Sequence, residues 1–280
     1  MPAASDEATY IDAVIRNLEE ANPLREPILH SIIATLNFAP GSHGLDIGCG
    51  IGLQTLLLAE STRPGGYVTG LDISVELLAY ARNKVKSLQL ADQISFKEGD
   101  LNNLPFSDNT FDWVWSADCV GYPAGDLPTA LEEIVRVVRP GGRVVILAWT
   151  SQQLLPGYPL LEARLNDISS AYAPLLRGKS PESHFTRTLR WFAGAGITEA
   201  TARTFVGEVQ APLGAGQRTA LTSLFEMLWR VASSEVAEAD RLEYQRLCQA
   251  DSPDFILNLP EYYAFFTYTL FSGKVSKPTS

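Results

Sequence analysis

The stretch from Asp46 to Gly52 constrains the fold of this 280-residue chain more than any other. An apolar strand leads into it, glycines occupy positions 48, 50 and 52, and the apolar run from Leu53 to Ala59 follows. Glycine adopts positive φ easily and lets a backbone or a ligand come close, so the pattern predicts a strand, a tight turn and a helix. The free N–H groups of that helix would face the turn, which indicates a site for an anionic or polar ligand group.

Two classes of nucleotide ligand use such a turn, and residue 53 distinguishes them. The dinucleotide fingerprint G-x-G-x-x-G/A requires Gly or Ala where this chain has Leu53. A nicotinamide-dependent oxidoreductase is therefore a disfavoured alternative. The pattern present, Asp-x-Gly-x-Gly-x-Gly, resembles the first motif of the class I S-adenosylmethionine-dependent methyltransferases.

Acidic residues end the next two predicted strands. Asp72 ends the alternating strand that begins at Tyr67, twenty residues after Gly52, and a carboxylate there can accept hydrogen bonds from both ribose hydroxyls. Asp100 ends the following strand in a Gly-Asp pair. The resemblance implies that Asp100 binds the adenine amino group and that Leu101 offers a backbone N–H to the ring.

Further landmarks of the same family follow in order. The run Val138-Arg139-Pro140-Gly141-Gly142 precedes an apolar strand predicted over 143–149. The exit of the fourth predicted strand, 111–116, is a family position for cofactor and acceptor contacts. The candidate cofactor-binding residues are Asp46, Gly48, Cys49, Gly50, Gly52, Asp72, Ile73, Asp100, Leu101 and Ser116.

Alternating strands and helices predict the fold class. We expect an α/β, Rossmann-like sheet of seven mostly parallel strands with helices on both faces, the last strand antiparallel, and a helical cap formed by insertions. We expect residues 1–280 to form a single methyltransferase domain. Its predicted parts are two N-terminal helices in 1–36 that break at Asn22-Pro23, a cofactor-binding core at 37–150, cap insertions at 151–190 and 211–260, and closing strands at 198–210 and 262–273.

Composition limits the partners. The formal net charge of −10 disfavours nucleic acid as a substrate. The three cysteines, Cys49, Cys119 and Cys248, are widely spaced and fit no metal-binding pattern, so we predict reduced thiols, no metal and a cytoplasmic protein. The first residues lack the basic and apolar regions of a secretion signal, and no apolar run reaches the length of a membrane span. The sequence does not indicate an oligomeric state.

The resemblance implies methyl transfer from S-adenosylmethionine to a small molecule, with S-adenosylhomocysteine as product. The ubiquinone/menaquinone-type branch is the most similar, which suggests a largely apolar, quinone- or polyketide-like acceptor bound beneath the inserted helices. Because the cofactor carries the activation, the motifs assign no catalytic residue, and His184 and Tyr122 are the candidates for a base. A non-catalytic cofactor-binding protein of the same fold is the other alternative. The candidate acceptor-binding residues are Tyr10, Tyr122, Trp149, Tyr158 and His184, any of which could instead belong to a packed core.

Overall fold

The computed structural model describes residues 4–120, 127–168, 182, 184–229 and 236–277. Its helices and strands follow in chain order. They are α1 (Ala4–Leu36), β1 (His43–Ile47), α2 (Leu53–Ser61), β2 (Tyr67–Asp72), α3 (Val75–Ser87), β3 (Ile94–Glu98), β4 (Phe111–Ala117), α4 (Leu127–Val137), β5 (Val138–Gln153), α5 (Pro159–Ile168), a 3-10 turn (Phe185–Arg187), α6 (Thr188–Gly194), β6 (Ile197–Gln210), α7 (Ala215–Trp229), α8 (Glu238–Cys248), a second 3-10 turn (Ile256–Asn258) and β7 (Tyr263–Val275).

The strands form one seven-stranded sheet in the order β3-β2-β1-β4-β5-β7-β6. Strands β1 to β5 pair in parallel, and the last strand is antiparallel, which confirms the predicted sheet. Ile47 at the end of β1 lies opposite Leu71 of β2 and Ser116 of β4. The carboxyl ends of these three strands therefore meet at one edge, where parallel α/β sheets bind their ligands.

The central strands are apolar because both of their faces are covered. Leu45 of β1 and Val114 of β4 are completely buried, and they join a core that includes Ile134 of α4 and Val144 of β5. Strands buried on both faces require continuous apolar runs instead of alternation, and such runs occupy 113–115 in β4 and 144–149 in β5.

The chain forms two compact units. The first, which we call the core unit, comprises Leu29–Trp149, Glu182–Phe205 and Thr269–Ser280 and contains the glycine turn. The second unit comprises Met1–Ile28, Thr150–Pro181 and Val206–Tyr268.

Aromatic side chains fill the interior of the second unit. Trp229 stacks on Phe225 with ring centroids 5.5 Å apart, and its indole N–H donates a 2.8 Å hydrogen bond to Asn166. The buried hydroxyl of Tyr262 donates to the carbonyl of Leu154 at 3.0 Å. Trp229, from the predicted cap insertion 211–260, and Tyr262, from the predicted closing strand, are therefore packed core residues with satisfied polar atoms.

The predicted break at Asn22-Pro23 is wrong, because α1 runs continuously through Pro23 and Pro27. Each proline removes one helical hydrogen bond, a cost of about 3 kcal/mol in an exposed helix interior. Burial outweighs that cost here: Ala21, Leu24 and Ile28 are all buried across the two prolines. Tertiary packing thus overrides the local signal.

The fifth strand is longer than predicted, since β5 begins at Val138 and continues to Gln153. Pro140, Gly141 and Gly142, which we expected to form a turn before this strand, lie within β5. Val138 pairs with Phe111, and the register shifts before Trp113 pairs with Arg143, so an irregularity absorbs the extra residues.

Candidate cofactor site

The turn between β1 and α2 is held in a left-handed conformation by its three glycines. Gly48, Gly50 and Gly52 have φ values of 74°, 52° and 78°. The N–H groups of Gly48 and Cys49 both donate to the carbonyl of Leu71 in β2, at 2.8 and 3.0 Å. The turn is therefore fastened to the neighbouring strand while its outer side faces the edge of the sheet.

Space as well as backbone geometry requires glycine here. A Cβ atom on Gly48 would lie 2.6 Å from the Sγ atom of Cys119, and one on Gly52 would lie 2.9 Å from the ring of Phe96. Gly52 also ends the turn as the N-cap of α2, and as glycine it provides no side-chain cap for the first N–H groups of the helix. Donors of this kind suit a polar or anionic ligand group.

Asp72 is half-buried at the end of β2, and it binds the glycine turn directly. Its Oδ2 atom accepts the N–H of Gly50 at 2.8 Å, and its Oδ1 atom accepts the N–H of Ser74 at 3.0 Å. Ser74 in turn caps α3 by accepting the N–H of Leu77 at 3.2 Å. Each carboxylate oxygen can accept a second hydrogen bond, so Asp72 retains the capacity to bind two hydroxyl groups.

Asp46 lies beneath the turn and is almost completely buried, with 2% of its surface exposed. The hydroxyl of Thr55 in α2 donates a 2.6 Å hydrogen bond to its Oδ2 atom. Burial raises the pKa of Asp46 to about 7, the charge of Asp72 acts in the same direction, and the Thr55 hydrogen bond opposes the rise. The Asp46 carboxyl therefore changes its charge near neutral pH.

Three other candidates lie at the ends of β2 and β3. Ile73 follows Asp72 and is 72% exposed. Asp100 is exposed, and its Oδ1 atom accepts both the backbone and the side-chain N–H of Asn102, at 2.8 and 3.0 Å. Leu101 points its side chain into the core of the sheet.

The exit of β4 is stabilised by side chains bonded to the main chain. The buried Ser116 accepts the N–H of Val120 at 3.3 Å, and Asp118, at a φ of 51°, accepts the N–H of Trp149 at 2.8 Å. Burial raises the pKa of Cys49 and raises that of Cys119 to about 11. Both thiols at the turn are thus protonated and unreactive at neutral pH, as expected of packed cysteines.

The candidate acceptor residues are divided between the two units. Trp149, which is buried, and His184 belong to the core unit, whereas Tyr10 and Tyr158 belong to the second unit. Tyr10 is 68% exposed, and the Tyr158 hydroxyl accepts a 3.0 Å hydrogen bond from Arg246. Tyr122 lies outside the described residues.

His184 has a local role in the core unit. Its Nδ1 atom accepts the N–H of Thr186 at 3.3 Å and lies 2.8 Å from the hydroxyl of the same residue, so it caps the 3-10 turn. Its ring packs on Phe185 with centroids 4.2 Å apart, and burial lowers its pKa. These contacts account for the histidine as a capping residue.

Thr55 is the contact that sequence reasoning missed. Thr55 is completely buried, and the hydrogen bond described for its hydroxyl goes to the Asp46 carboxyl. Thr55 and its neighbour Gln54 are the polar residues within the run 53–59, and Thr55 lies nine positions after Asp46, which was the available signal.

Over the described ranges, no group of three or more His, Cys, Asp and Glu side chains could hold a metal ion. Within those same ranges no helix has the length and apolar character needed to cross a bilayer.

Comparison with known proteins identifies the domain around this turn. A family model for methyltransferase domains matches residues 45–146. The demethylmenaquinone methyltransferase of Geobacillus sp. (strain WCH70) is 42% identical over 126 residues, which are 44% of this chain and 51% of that protein. The corresponding enzyme of Symbiobacterium thermophilum is 35% identical over 158 residues, 52% of this chain and 61% of that protein. The chain thus spans about half the length of the curated relatives it matches.

Solved structures agree in fold over most of the chain. The YcgJ protein from Bacillus subtilis has a TM-score of 0.55 at 17% identity, covering 90% of this chain and 99% of that one. An S-adenosylmethionine-dependent methyltransferase from Aquifex aeolicus has a TM-score of 0.53 at 16% identity, covering 93% and 97%. At such identities the likeness concerns the fold alone. The family match shows that residues 45–146 form a methyltransferase domain, in agreement with the order of the motifs.

Proposed function

We propose that this protein transfers the methyl group of S-adenosylmethionine to a small, largely apolar molecule and releases S-adenosylhomocysteine. The observation that carries the proposal is the glycine turn after β1, whose Gly50 N–H is bonded to the carboxylate of Asp72. This hydrogen bond holds the Asp72 carboxylate beside the turn, which supports its assignment as the ribose acceptor. The alternative, a nicotinamide-dependent oxidoreductase, lacks such support because Leu53 occupies the third fingerprint position.

The residues at the edge of the sheet have complementary roles in this proposal. Asp72 accepts hydrogen bonds from the two ribose hydroxyls with its remaining lone pairs. The exposed side chain of Ile73 provides an apolar surface for the adenine ring, which removes that side chain from water. Asp100 and the backbone N–H of Leu101 match the donor and acceptor edge of adenine. The free N–H groups where α2 begins face the polar end of the cofactor.

Methyl transfer requires little covalent chemistry from the protein. The bound cofactor supplies a methyl group already activated on a sulfonium, so the chain contributes alignment and exclusion of water. A base is needed only for an acceptor that is a weak acid. His184 and Tyr122 remain the candidates for that base, although the Nδ1 atom of His184 is engaged by Thr186 and leaves Nε2 for this purpose.

The acceptor that we favour is a quinol-like aromatic molecule. The curated relatives are named demethylmenaquinone methyltransferases, and the matches to two of them cover 44% and 46% of this chain. The net charge of −10 opposes a polyanionic acceptor such as a nucleic acid. Tyr10, Trp149, Tyr158 and His184 are the described candidates for contacts with it, and a cytoplasmic location is part of the same proposal.

A transfer assay tests this function. The protein is incubated with methyl-labelled S-adenosylmethionine and, separately, with a short-tailed naphthoquinol, a catechol, a peptide mixture and transfer RNA. We expect label in the organic extract of a small-molecule reaction, with one S-adenosylhomocysteine formed per methylated product. Asp72→Ala should abolish the signal, while Asp92→Ala, which removes an exposed carboxylate in a turn, should preserve it. Label in the peptides or RNA alone, or cofactor binding without transfer to any acceptor class, would overturn the proposal.

A further inference from the structure

An ion pair on α4 binds the main chain of the loop that follows β3. The Glu133 carboxylate and the Arg136 guanidinium are bonded to each other at 2.7 and 2.8 Å. Glu133 also accepts the N–H of Leu104 at 2.8 Å, and Arg136 donates to the carbonyl of Leu104 at 3.0 Å. A second nitrogen of the guanidinium donates to the carbonyl of Phe106 at 2.7 Å. One ion pair therefore holds both polar main-chain groups of Leu104.

Leu104 lies at the end of a short turn that begins at Asp100. The N–H of Asn103 donates to the carbonyl of Asp100 at 3.0 Å, and these two residues form an isolated antiparallel bridge. Leu101 and Leu104 bury their side chains in the same core as Ile134 of α4. Because the turn is short and closed by this bridge, a shift of Leu104 also moves the Asp100 carboxylate and the Leu101 N–H.

The same loop packs against the residue that precedes Asp100. A Cβ atom on Gly99 would lie 2.9 Å from the ring of Pro105, and the N–H of Gly99 donates to the carbonyl of Asp72 at 3.1 Å. From β3, the Lys97 ammonium donates to the carbonyl of Pro105 at 2.6 Å. The loop is thus fastened to α4 on one side and to the ends of β2 and β3 on the other.

The planar guanidinium of Arg136 suits this arrangement. It carries five N–H donors in a fixed fork, which here reach the two loop carbonyls, the Glu133 carboxylate and the Asp108 carboxylate at 2.9 Å. The ammonium of a lysine is a single point of charge and does not match this set of acceptors. The two side chains are 31% and 18% exposed, and an ion pair near the surface stabilises a fold only slightly by its charges alone. Its main effect here is to orient the loop.

Resting on the proposed function, we propose that Glu133 and Arg136 are positioning residues that set the preference of the cofactor site for adenine. They hold the Asp100 carboxylate and the Leu101 N–H where these groups meet the amino group and the ring nitrogen of the base. Hypoxanthine reverses both groups, because it carries a carbonyl oxygen in place of the amino group and a hydrogen atom on the adjacent ring nitrogen. Two acceptors and two donors would then face each other. Such a mismatch excludes the wrong base only while the turn is held in place.

Titration calorimetry with two compounds tests this inference. The probes are S-adenosylhomocysteine and S-inosylhomocysteine, which carries hypoxanthine in place of adenine. The unaltered protein should bind the adenine compound at least about tenfold more tightly. Glu133→Ala and Arg136→Lys should each lower the affinity for S-adenosylhomocysteine by about three- to tenfold and the affinity for S-inosylhomocysteine by less, so that the ratio of the two falls. Glu133→Gln keeps an acceptor for the N–H of Leu104 and should restore most of that ratio.

Two controls separate positioning from a structural role. Glu243 and Arg246 of α8 form an ion pair with the same spacing of three residues and the same 2.7 Å distance, and Glu243→Ala should change neither affinity. In a protein that already carries Asp100→Ala, Arg136→Lys should not reduce the affinity ratio further, because the ion pair acts through that acid. Thermal unfolding identifies the folded variants, and Arg136→Lys, which keeps the positive charge, provides the result if Glu133→Ala does not fold.

The outcomes distinguish this inference from the proposed function. An equal loss of affinity for both compounds in the folded variants, which leaves the ratio unchanged, would mean that the ion pair only stabilises the fold, and it overturns this inference. Equal affinity of the unaltered protein for the two compounds overturns it as well, but leaves methyl transfer standing. Absence of binding by S-adenosylhomocysteine to the unaltered protein overturns the proposed function itself.

Discussion

The main-chain N–H of Gly50 donates a 2.8 Å hydrogen bond to the Oδ2 atom of Asp72, which joins the glycine turn to the end of β2. One carboxylate thereby serves two purposes, because it fixes the turn and remains available to a ligand. The spacing of twenty residues between Gly52 and Asp72 has a structural cause: α2 and β2 return the chain to the same edge of the sheet.

Replacement of Asp72 should therefore weaken the cofactor site in two ways. Asp72→Ala removes the acceptor for the ribose hydroxyls and the acceptor for Gly50. Each charged hydrogen bond lost costs about 1.5–3 kcal/mol, so cofactor affinity should fall by about one to two decades per bond. Calorimetric titration with S-adenosylmethionine measures the loss, and Asp92→Ala is the control for charge. A folded Asp72→Ala protein with unchanged affinity would show that the ribose assignment is wrong.

Gly48 and Gly141 form a matched pair for testing the space within the turn. Their φ values are 74° and 76°, but a Cβ atom meets Cys119 at Gly48 and meets nothing within 4 Å at Gly141. Alanine at either position costs about 1–2 kcal/mol for the left-handed backbone. Gly48→Ala should add a packing cost of about 1–3 kcal/mol and reduce cofactor binding.

Chemical denaturation and calorimetry distinguish the two variants. Adding Cys119→Gly to Gly48→Ala removes the atoms that clash, and part of the lost stability should return. Equal destabilisation by Gly48→Ala and Gly141→Ala would contradict the close contact between the turn and the exit of β4.

The sequence predicted those parts of the site that depend on chain direction and spacing. Asp46, the three glycines and Asp72 could be located because parallel strands with helical crossovers bring their carboxyl ends together. Thr55 could not be paired with Asp46, because that contact depends on how α2 is rotated against β1. Likewise, the aromatic residues Trp229 and Tyr262 gave no sign in sequence of whether they line a pocket or fill a core.

Packing against distant residues accounts for the errors in element boundaries. Pro23 locally predicts the end of a helix, but α1 continues past it because Leu24 and Ile28 are buried in the helical conformation. The same holds for the start of β5, where pairing of Val138 with Phe111 extends the strand beyond its turn-like sequence.

The stability of the ligand-free protein should depend on pH through Asp46. Its pKa is raised to about 7 in the folded protein, against an ordinary value near 3.8. Above pH 4 the unfolded chain is ionised at this residue while the folded chain still binds a proton, so stability should fall as pH rises towards 7 and then level off. The full effect is about 4 kcal/mol at most.

Thermal unfolding of the unaltered protein and Asp46→Asn between pH 5 and pH 8 checks this dependence. The asparagine variant should gain stability relative to the unaltered protein as pH rises, because it has no charge to bury. A difference that stays constant over this range would mean that Asp46 does not titrate there.

Glu162 should be essential to the second unit. It is completely buried, and its carboxylate accepts the N–H of Leu154 at 2.8 and 2.9 Å and that of Leu155 at 3.0 Å. Burial raises its pKa, while the two backbone donors oppose the rise. Glu162→Ala leaves two buried donors unpaired at about 1–3 kcal/mol each, and Glu162→Gln should cost less because it keeps one acceptor.

Denaturant unfolding measures that loss, with Glu261→Ala as the control because Glu261 is exposed. If Glu162→Ala were as stable as the control, the loop at Leu154 would not depend on this carboxylate.

The central claim is that the glycine turn binds S-adenosylmethionine, and a calorimetric titration of the purified protein with S-adenosylmethionine and with NAD tests it most directly. Saturable binding of S-adenosylmethionine at one site per chain, with no heat from NAD, is the predicted result. Saturable binding of NAD together with no binding of S-adenosylmethionine would contradict the account.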